Sequence, residues 1–225
     1  LIYKPKGMMI DTVSMCLRGL EYGFPGVIVL FLAGYWIIRG WAKQKDFTAV
    51  LILSISAFLA LWMVLLVWFD VIKLHLNAWL VRSFISICTL TGFIFFVKDR
   101  GQWNKQFWLG DNPILTLSLW LVILCSIGIR LWLGRGLVML PGSDAYHHTL
   151  IVQLFAEQGG IPKNYKPYAP LLSFSYHFGF HSIVALVRWF IGSELLSTTK
   201  VIALVMNGGI AATAGLFGEQ IAGHR

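Results

Sequence analysis

Charged residues are scarce in this chain. Only 12% of its 225 residues are Asp, Glu, Lys or Arg, whereas 57% are hydrophobic, and the mean hydropathy is +0.73. A soluble domain carries about 25% charged residues, because its surface has to be solvated. The composition therefore excludes a soluble globular protein and predicts an integral membrane protein.

Cysteines and acidic residues are also few. The three cysteines, Cys16, Cys88 and Cys125, are odd in number and lie in or beside apolar segments, so they predict no disulfide framework. Ten acidic residues stand against eighteen basic ones, which gives a formal net charge of +8. The basic residues are scattered between apolar segments, as expected for flanks that face anionic lipid, and nucleic-acid binding is not expected.

Long apolar runs are what the chain has in abundance. A helix needs about 20 apolar residues to cross the hydrocarbon core of a bilayer. The runs are continuous rather than alternating, which favours helices over a β-barrel. We therefore predict an all-α bundle with about six transmembrane spans. The spans are expected at residues 23–38, 47–69, 78–97, 114–133, 174–191 and 198–218.

Residues 8–23 precede the first predicted span. Their apolar side chains recur at helical spacing, which indicates either an interfacial helix ahead of Pro25 or the start of a longer first span. The chain begins with Leu1 and its last residues follow an apolar segment directly. We therefore expect it to be processed or to be part of a longer protein.

Two short basic loops set the expected orientation. They read "RGWAKQKD" (39–46) and "KDRGQWNKQ" (98–106), and short loops of this kind stay in the cytoplasm. The connection of residues 134–173 would then be extracytoplasmic, in a multi-pass protein of the cell membrane. We expect residues 1–110 to form an amino-terminal unit of three spans and residues 111–225 to form a second unit that contains this outer loop.

The outer loop opens with "PGSDAYHH". Ser143 or Asp144 is predicted to cap a short interfacial helix that ends at Gly159. In such a helix Asp144 shares a face with His147 and His148, one turn further on.

Histidines are concentrated around this loop. Four of the six histidines in the chain are His147, His148, His177 and His181. Because both pairs flank the same loop at the same expected membrane depth, we predict that they converge on one pocket. A lone histidine at an interface is more often bonded to backbone, but the clustering favours a functional site.

Two acids in this region have simpler interpretations as well. Asp144 could serve only as a helix cap, although ionisable groups at a membrane are functional by default, which favours a functional role. Glu157 is a weaker candidate for a second acid, with solvent exposure as the alternative.

These motifs carry a resemblance to a known family. A span ending in "GIRLWLGRGL", then "PGSDAYHH", a short helix and "EQGGIPKNYKPYAPLLSFSYHFGFHSIVAL" resemble the amino-terminal catalytic region of the GT-C superfamily of membrane glycosyltransferases. The resemblance covers about residues 114–225 and implies a polyprenyl-phosphate sugar as donor. It implies that Asp144 corresponds to the essential acid of the first large extracytoplasmic loop. Ala145 stands where many relatives carry a second acid.

The chemistry of sugar transfer agrees with this set of residues. A carboxylate can take the proton of the acceptor hydroxyl, and positive groups can stabilise the departing phosphate. We therefore expect Asp144 to be catalytic, with the polyprenyl-phosphate sugar and membrane lipid as partners. The candidate substrate-binding residues are Arg135, Tyr146, His147, His148, Lys163, Lys166, His177 and His181.

Two functions of other classes stay open. Histidines at positions i and i+4 together with a carboxylate can bind a divalent metal or haem. The chain could also be a non-catalytic integral membrane subunit whose outer loop docks partner subunits of a larger complex.

Overall fold

The computed structural model describes residues 12–42, 46–137, 139 and 141–222. This part of the chain contains helices and connecting segments, and no strand, so the predicted all-α class is confirmed. A short 3₁₀ turn, Arg100–Gln102, follows the third α-helix. The α-helices are α1 (Thr12–Ala42), α2 (Phe47–Val71), α3 (Ala78–Asp99), α4 (Lys105–Leu109), α5 (Pro113–Gly134), α6 (Ser143–Gln158), α7 (Gly179–Ile191) and α8 (Leu195–Ala222).

Side-chain caps fix the beginning of four consecutive helices. The first backbone N–H groups of a helix have no partner within it, and a short polar side chain supplies one. The side-chain oxygen of each cap accepts a hydrogen bond from the backbone N–H three residues later. The caps of α2, α3, α4 and α5 are Asp46, Asn77, Asn104 and Asn112.

Helix α1 lies between α2 and α3 at very short range. A Cβ atom on Gly34 would overlap the backbone carbonyl of Ser54 in α2, and one on Gly92 of α3 would overlap the carbonyl of Leu32 in α1. Small residues allow helix backbones in membranes to approach in this way. The described part of α1 is also continuous through Pro25, so residues 12–23 belong to a longer first helix and not to a separate one.

The helix ends beside the two basic loops lie together. Arg39 Nε donates to Asp99 Oδ2 at 2.7 Å and Arg39 Nη2 donates to Oδ1 at 2.8 Å, which ties α1 to α3. Trp120 Nε1 donates to Thr48 Oγ1 at 2.9 Å, which ties α5 to α2. We call this the basic end of the bundle.

The long connection after α5 lies at the opposite end, which we call the loop end. Leu76, between α2 and α3, donates its backbone N–H to the carbonyl of Gly159 at 2.7 Å. Lys163 pairs with Asp70 near the end of α2. The two ends are thus distinct, and which of them faces the cytoplasm stays a prediction.

Five described helices are long and apolar enough to cross a membrane, namely α1, α2, α3, α5 and α8. The fifth predicted span, residues 174–191, is not among these five helices and contains a shorter apolar one. Only Gly179–Ile191 is helical there, and 13 residues of helix extend about 20 Å, well short of the roughly 30 Å hydrocarbon core.

Both ends of α7 are held away from the basic end. Trp62 Nε1 in α2 donates to the carbonyl of Ser182 at 3.2 Å. Arg82, four residues after the start of α3, donates its Nε to the carbonyls of Trp189 and Phe190 at 3.1 and 3.0 Å. Helix α7 therefore packs against the loop-end halves of α2 and α3 and does not traverse the bundle.

One hydrophobic cluster joins α6 and α7 to the first three helices. Its fully buried members include Phe58 and Trp62 of α2, Ile85 of α3, Phe155 of α6 and Leu186 of α7. Helix α6 is thus anchored in the core by one face and does not lie loosely on the surface. Its other face remains open for the polar residues of the candidate site.

Helices α5 and α8 form an antiparallel pair beside this cluster. Gly134 of α5 contacts Leu204 of α8, and Gly215 of α8 contacts Leu119 of α5. Of the residues in α5, only Ile123 and Gly134 are buried. Most of the remaining surface of α5 is apolar, as expected for a helix that faces lipid, and the exposed Arg130 near its end is the one charged residue.

Candidate functional site

The candidate site begins at the first turn of α6. Gly142 precedes the helix with a φ of 104°, a conformation that favours glycine, and no side chain caps the helix. The expectation that Ser143 or Asp144 is the cap is therefore wrong, because the helix already begins at Ser143. Asp144 lies within the first turn, where the helix dipole favours a negative charge.

The carboxylate of Asp144 is held by one histidine. Its Oδ2 atom lies 3.2 Å from Nε2 of His148, and the Asp144 side chain is 78% exposed. The spacing of four residues puts both side chains on one face of α6, as predicted. An exposed acid with a fixed orientation is thus available at the loop end.

His148 makes a second contact on its other nitrogen. Nδ1 of His148 lies 2.7 Å from Nε2 of His181, in the first turn of α7. His181 is fully buried, and its Nδ1 has no hydrogen-bond partner among the described residues. An exposed carboxylate, a half-buried imidazole and a buried imidazole therefore form a continuous row.

Tyr176 lies at the centre of the four predicted histidines. Its ring centroid is 5.1 Å from that of His147, 5.8 Å from His148, 4.2 Å from His177 and 5.7 Å from His181. The two histidine pairs thus lie around one tyrosine ring, and a shared pocket between them stays a prediction. Tyr176 was not among the predicted site residues, although its position directly before His177 in "SYHFGFH" indicated it.

Burial determines the charge state of His181. Desolvation, together with the neighbouring histidines, lowers the pKa of His181 to about 3. The backbone carbonyl of His177 opposes this shift slightly. His181 is therefore neutral at physiological pH and offers hydrogen bonds, and it cannot offer the positive charge that a phosphate contact would use.

The other predicted substrate-binding residues lie outside this cluster. Lys163 pairs with Asp70, and the exposed Arg135 stacks on Trp132, with its guanidinium carbon 3.8 Å from the ring centroid. Lys166 and Tyr146 are exposed. Within the described part of the chain, none of the four makes a hydrogen bond or ring contact with the four histidines. Their predicted roles in substrate binding are untested.

Glu157 lies near the far end of α6. It accepts hydrogen bonds from Tyr168 Oη at 2.6 Å and from Gln153 Nε2 at 2.5 Å. The hydrogen bond to Glu157 raises the pKa of the Tyr168 phenol. Glu157 lies thirteen positions after Asp144 in the same helix, about 20 Å along the axis, so the two acids cannot act on one bond.

Arg188, in α7, is a charged residue that was not among the predicted site residues. Its Nη1 donates to Gln153 Oε1 of α6 at 3.3 Å, and burial lowers its pKa. The sequence did contain an indication of its importance, because Arg188 is a lone arginine inside a predicted span. Arg188 links α6 to α7 two helical turns beyond His181, so it helps to hold the histidine pair together.

The geometry does not favour the metal alternative. In the described residues, no three side chains of His, Cys, Asp or Glu are arranged to hold a metal ion. The nitrogens of His148 and His181 that could face a metal face each other at hydrogen-bond distance. The cluster is therefore best described as a row of one ion-pair contact and one hydrogen bond, with aromatic neighbours.

Comparisons with known proteins leave this site to be interpreted from its own residues. No family model, curated protein or solved structure matches the chain. The function must therefore be argued from the exposed carboxylate, the histidines and the apolar bundle that carries them.

Proposed function

We propose that this chain is a membrane glycosyltransferase of the GT-C type, which transfers a sugar from a polyprenyl phosphate to an acceptor at the loop end. The observation that carries the proposal is the carboxylate of Asp144, which is exposed yet held by His148 at 3.2 Å. An oriented carboxylate at the end of a lipid-facing bundle is what a transfer reaction on a lipid-linked donor needs.

In the proposed reaction Asp144 is the general base. Its Oδ2 is occupied by His148, whereas Oδ1 makes no hydrogen bond within the described residues, so Oδ1 is available to an acceptor hydroxyl. The O–H bond of the acceptor breaks and its proton goes to Asp144. The acceptor oxygen bonds to the anomeric carbon, and the bond from that carbon to the phosphate oxygen breaks with its electron pair on the phosphate.

A lipid-linked donor also accounts for the place of the site. The prenyl tail is apolar and belongs in the bilayer, next to uncovered apolar residues such as Leu121, Leu124 and Leu133 of α5. The phosphate and sugar would then reach the loop end, where α6 displays Asp144. Tyr176 and His177 have ring contacts with His148, the partner of the acid, and aromatic faces suit the apolar face of a sugar.

The positively charged side chains of the loop end differ in whether they are already paired with an acid. Lys163 is paired with Asp70, whereas Lys166 and Arg135 are exposed, each on the connection between α5 and α7. We assign the phosphate contact to these exposed cations and to His147 rather than to the neutral, buried His181. The site would face the extracytoplasmic side of a multi-pass cell-membrane protein.

The test is sugar transfer by the purified chain in liposomes that contain radiolabelled polyprenyl-phosphate hexoses. We expect Asp144→Asn to lower the rate by about 10²–10⁴-fold, because an amide cannot take the proton. The exposed position of Asp144 means that the variant should fold normally. Glu157→Gln is the matched control, and it should keep most of the rate because Glu157 lies at the far end of α6.

Two results would overturn the proposal. Near-normal transfer by Asp144→Asn would remove the general base from the mechanism. A folded wild-type chain that is inert with every polyprenyl-phosphate hexose would refute the activity and favour a non-catalytic subunit of a membrane complex.

A further inference from the structure

An apolar cleft opens on the lateral surface of the bundle, where α1, α3 and α7 meet. Its volume is about 360 Å³, within the roughly 300–1,000 Å³ that small-molecule sites enclose. The cleft is lined by Val29 and Leu32 of α1, by residues of α3 from Ile85 to Phe93, and by Phe190 of α7. It lies outside the cluster of histidines and has no role in the proposed sugar transfer.

The cleft extends along α3, away from the loop end. Phe93 lies eight positions after Ile85, about 12 Å further along the helix axis. Leu90 and Phe93, which line the cleft, are 60% and 50% exposed. Because the outer surface of such a helix faces hydrocarbon, the cleft is open to the apolar chain of a lipid.

Arg82 lies at the loop-end mouth of the cleft. It is four residues into α3, and its Nε donates to the carbonyl of Phe190, whose residue also lines the cleft. Trp79, one turn before Arg82, is 78% exposed, and exposed tryptophans at the ends of membrane helices mark the level of the lipid headgroups. The guanidinium is therefore at headgroup level, beside the entrance of an apolar cleft.

Most of the hydrogen-bonding capacity of Arg82 is unused. Its Nε donates to the last carbonyls of α7 at 3.1 and 3.0 Å, a capping role that needs one N–H group. Within the described residues, its two Nη groups make no hydrogen bond and no carboxylate pairs with it. A half-buried guanidinium that is held by Nε cannot swing freely into water, and an uncompensated charge is costly at a membrane. An anion would compensate it.

Ser86 supplies a second polar group inside the cleft. It lies one turn after Arg82 on the same face of α3, about 6 Å deeper in the membrane. The side chain is exposed, and its hydroxyl makes no hydrogen bond within the described part of the chain, whereas Thr89, also in the cleft, donates to the carbonyl of Val29. Because hydrocarbon offers a hydroxyl no partner, an acceptor on the ligand would be favourable at this depth.

We propose that the cleft binds one anionic glycerophospholipid. Its phosphate is held by the Nη groups of Arg82, an ester carbonyl accepts from the hydroxyl of Ser86, and one acyl chain lies in the cleft beside Leu90. A glycerophospholipid carries phosphate, ester and chain in this order, and a guanidinium binds a phosphate with two parallel hydrogen bonds. A net negative headgroup suits an arginine that no carboxylate neutralises. The bound lipid would join α1 and α3 to the end of α7.

The site differs from the place of the proposed sugar donor. Phe190 lies nine positions after His181 in α7, about 14 Å along the axis, and His181 is the residue that contacts His148, the partner of Asp144. A phosphate on Arg82 is thus at the other end of α7 from the candidate site. A polyprenyl phosphate also lacks the ester carbonyl that Ser86 would bind. The lipid is therefore a structural ligand, independent of sugar transfer.

The first experiment measures lipid binding to the full-length protein. Delipidated protein in detergent is titrated with phosphatidylglycerol, phosphatidylcholine, a polyprenyl phosphate or inorganic phosphate, while native mass spectrometry counts bound molecules and the melting temperature is recorded. We expect one phosphatidylglycerol, bound at least about 10-fold more tightly than the other two lipids, with a higher melting temperature that inorganic phosphate does not reproduce. No bound phosphatidylglycerol, equal or tighter binding of either other lipid, the same stabilisation by inorganic phosphate, or a lipid-free dimer would overturn the proposal.

Two pairs of variants locate the lipid. Arg82→Gln removes the charge and keeps an amide that can donate to the carbonyls of α7, and it should weaken binding of phosphatidylglycerol at least about 10-fold. Arg130→Gln is its control, because Arg130 is an exposed arginine near the loop end of α5. Leu90→Trp should fill the cleft with Arg82 intact, whereas Ile87→Trp, at a 66% exposed position of α3 outside the cleft, should not.

The exposed position of Leu90 means that Leu90→Trp should fold normally, and circular dichroism checks the helix content of each variant. We expect Leu90→Trp to lose the bound lipid, and both control variants to bind it as the wild-type protein does. Wild-type affinity in either Arg82→Gln or Leu90→Trp, or an equal loss in the matching control, would overturn the proposal.

Discussion

Replacement of Gly92 by alanine should separate α1 from α3. The new Cβ would overlap the backbone carbonyl of Leu32, and a backbone atom cannot rotate away as a side chain can. Overpacking of this kind costs about 1–3 kcal/mol, while alanine gains up to about 1 kcal/mol over glycine in a helix. We therefore expect Gly92→Ala to lower the free energy of unfolding by about 1–2 kcal/mol.

The matched control is Gly128→Ala in the middle of α5, where a Cβ meets open space. This variant should be neutral or more stable by up to about 1 kcal/mol, because only the helix propensity changes. The assay is unfolding by SDS in mixed micelles, followed by tryptophan fluorescence, with the midpoints of the two variants compared. If Gly92→Ala is as stable as Gly128→Ala, the close approach of α1 and α3 is not as described.

Two further predictions concern topology and pH. In a background without the natural cysteines, Lys166→Cys should react with an impermeant thiol reagent in intact cells, whereas Gln102→Cys should react only after lysis, and the reverse pattern would invert the orientation. Because the pKa of His181 is lowered from 6.5 to about 3 in the folded protein, the stabilisation from keeping it neutral is complete above pH 6.5 and is lost as the pH falls towards 3. The melting temperature of His181→Gln should accordingly fall less steeply over this pH range than that of the wild-type protein. Equal slopes of melting temperature against pH in the two proteins would contradict the burial of His181.

Local sequence signals predicted much of the helical layout. The apolar runs located the long helices because a bilayer demands length and apolarity. Helix α6 also ends as predicted, since Gly159 adopts the left-handed conformation that ends a helix, with a φ of 64°. Such boundaries depend on one or two residues near the helix end, and a single sequence carries that information.

Contacts between segments that are distant in the chain could not be predicted from the sequence. Residues 174–191 have the apolarity of a span, and only Trp62 and Arg82, from two other helices, show that α7 stays at the loop end. Lys163 pairs with Asp70, 93 residues earlier, and no local pattern indicated that contact. The convergence of the histidines was predictable because both pairs flank one loop.

The short length of α7 has a consequence for the path of the whole chain. Since α7 stays at the loop end, α8 starts there, where Lys200 Nζ donates to the carbonyl of Leu137 at 2.5 Å. It then runs alongside α5 towards the basic end. The number of candidate crossings is therefore odd, five in the described residues. The carboxyl end of α8 consequently lies at the basic end of the bundle, opposite to Asp144. An α7 that traversed the bundle would have placed this end beside the candidate site.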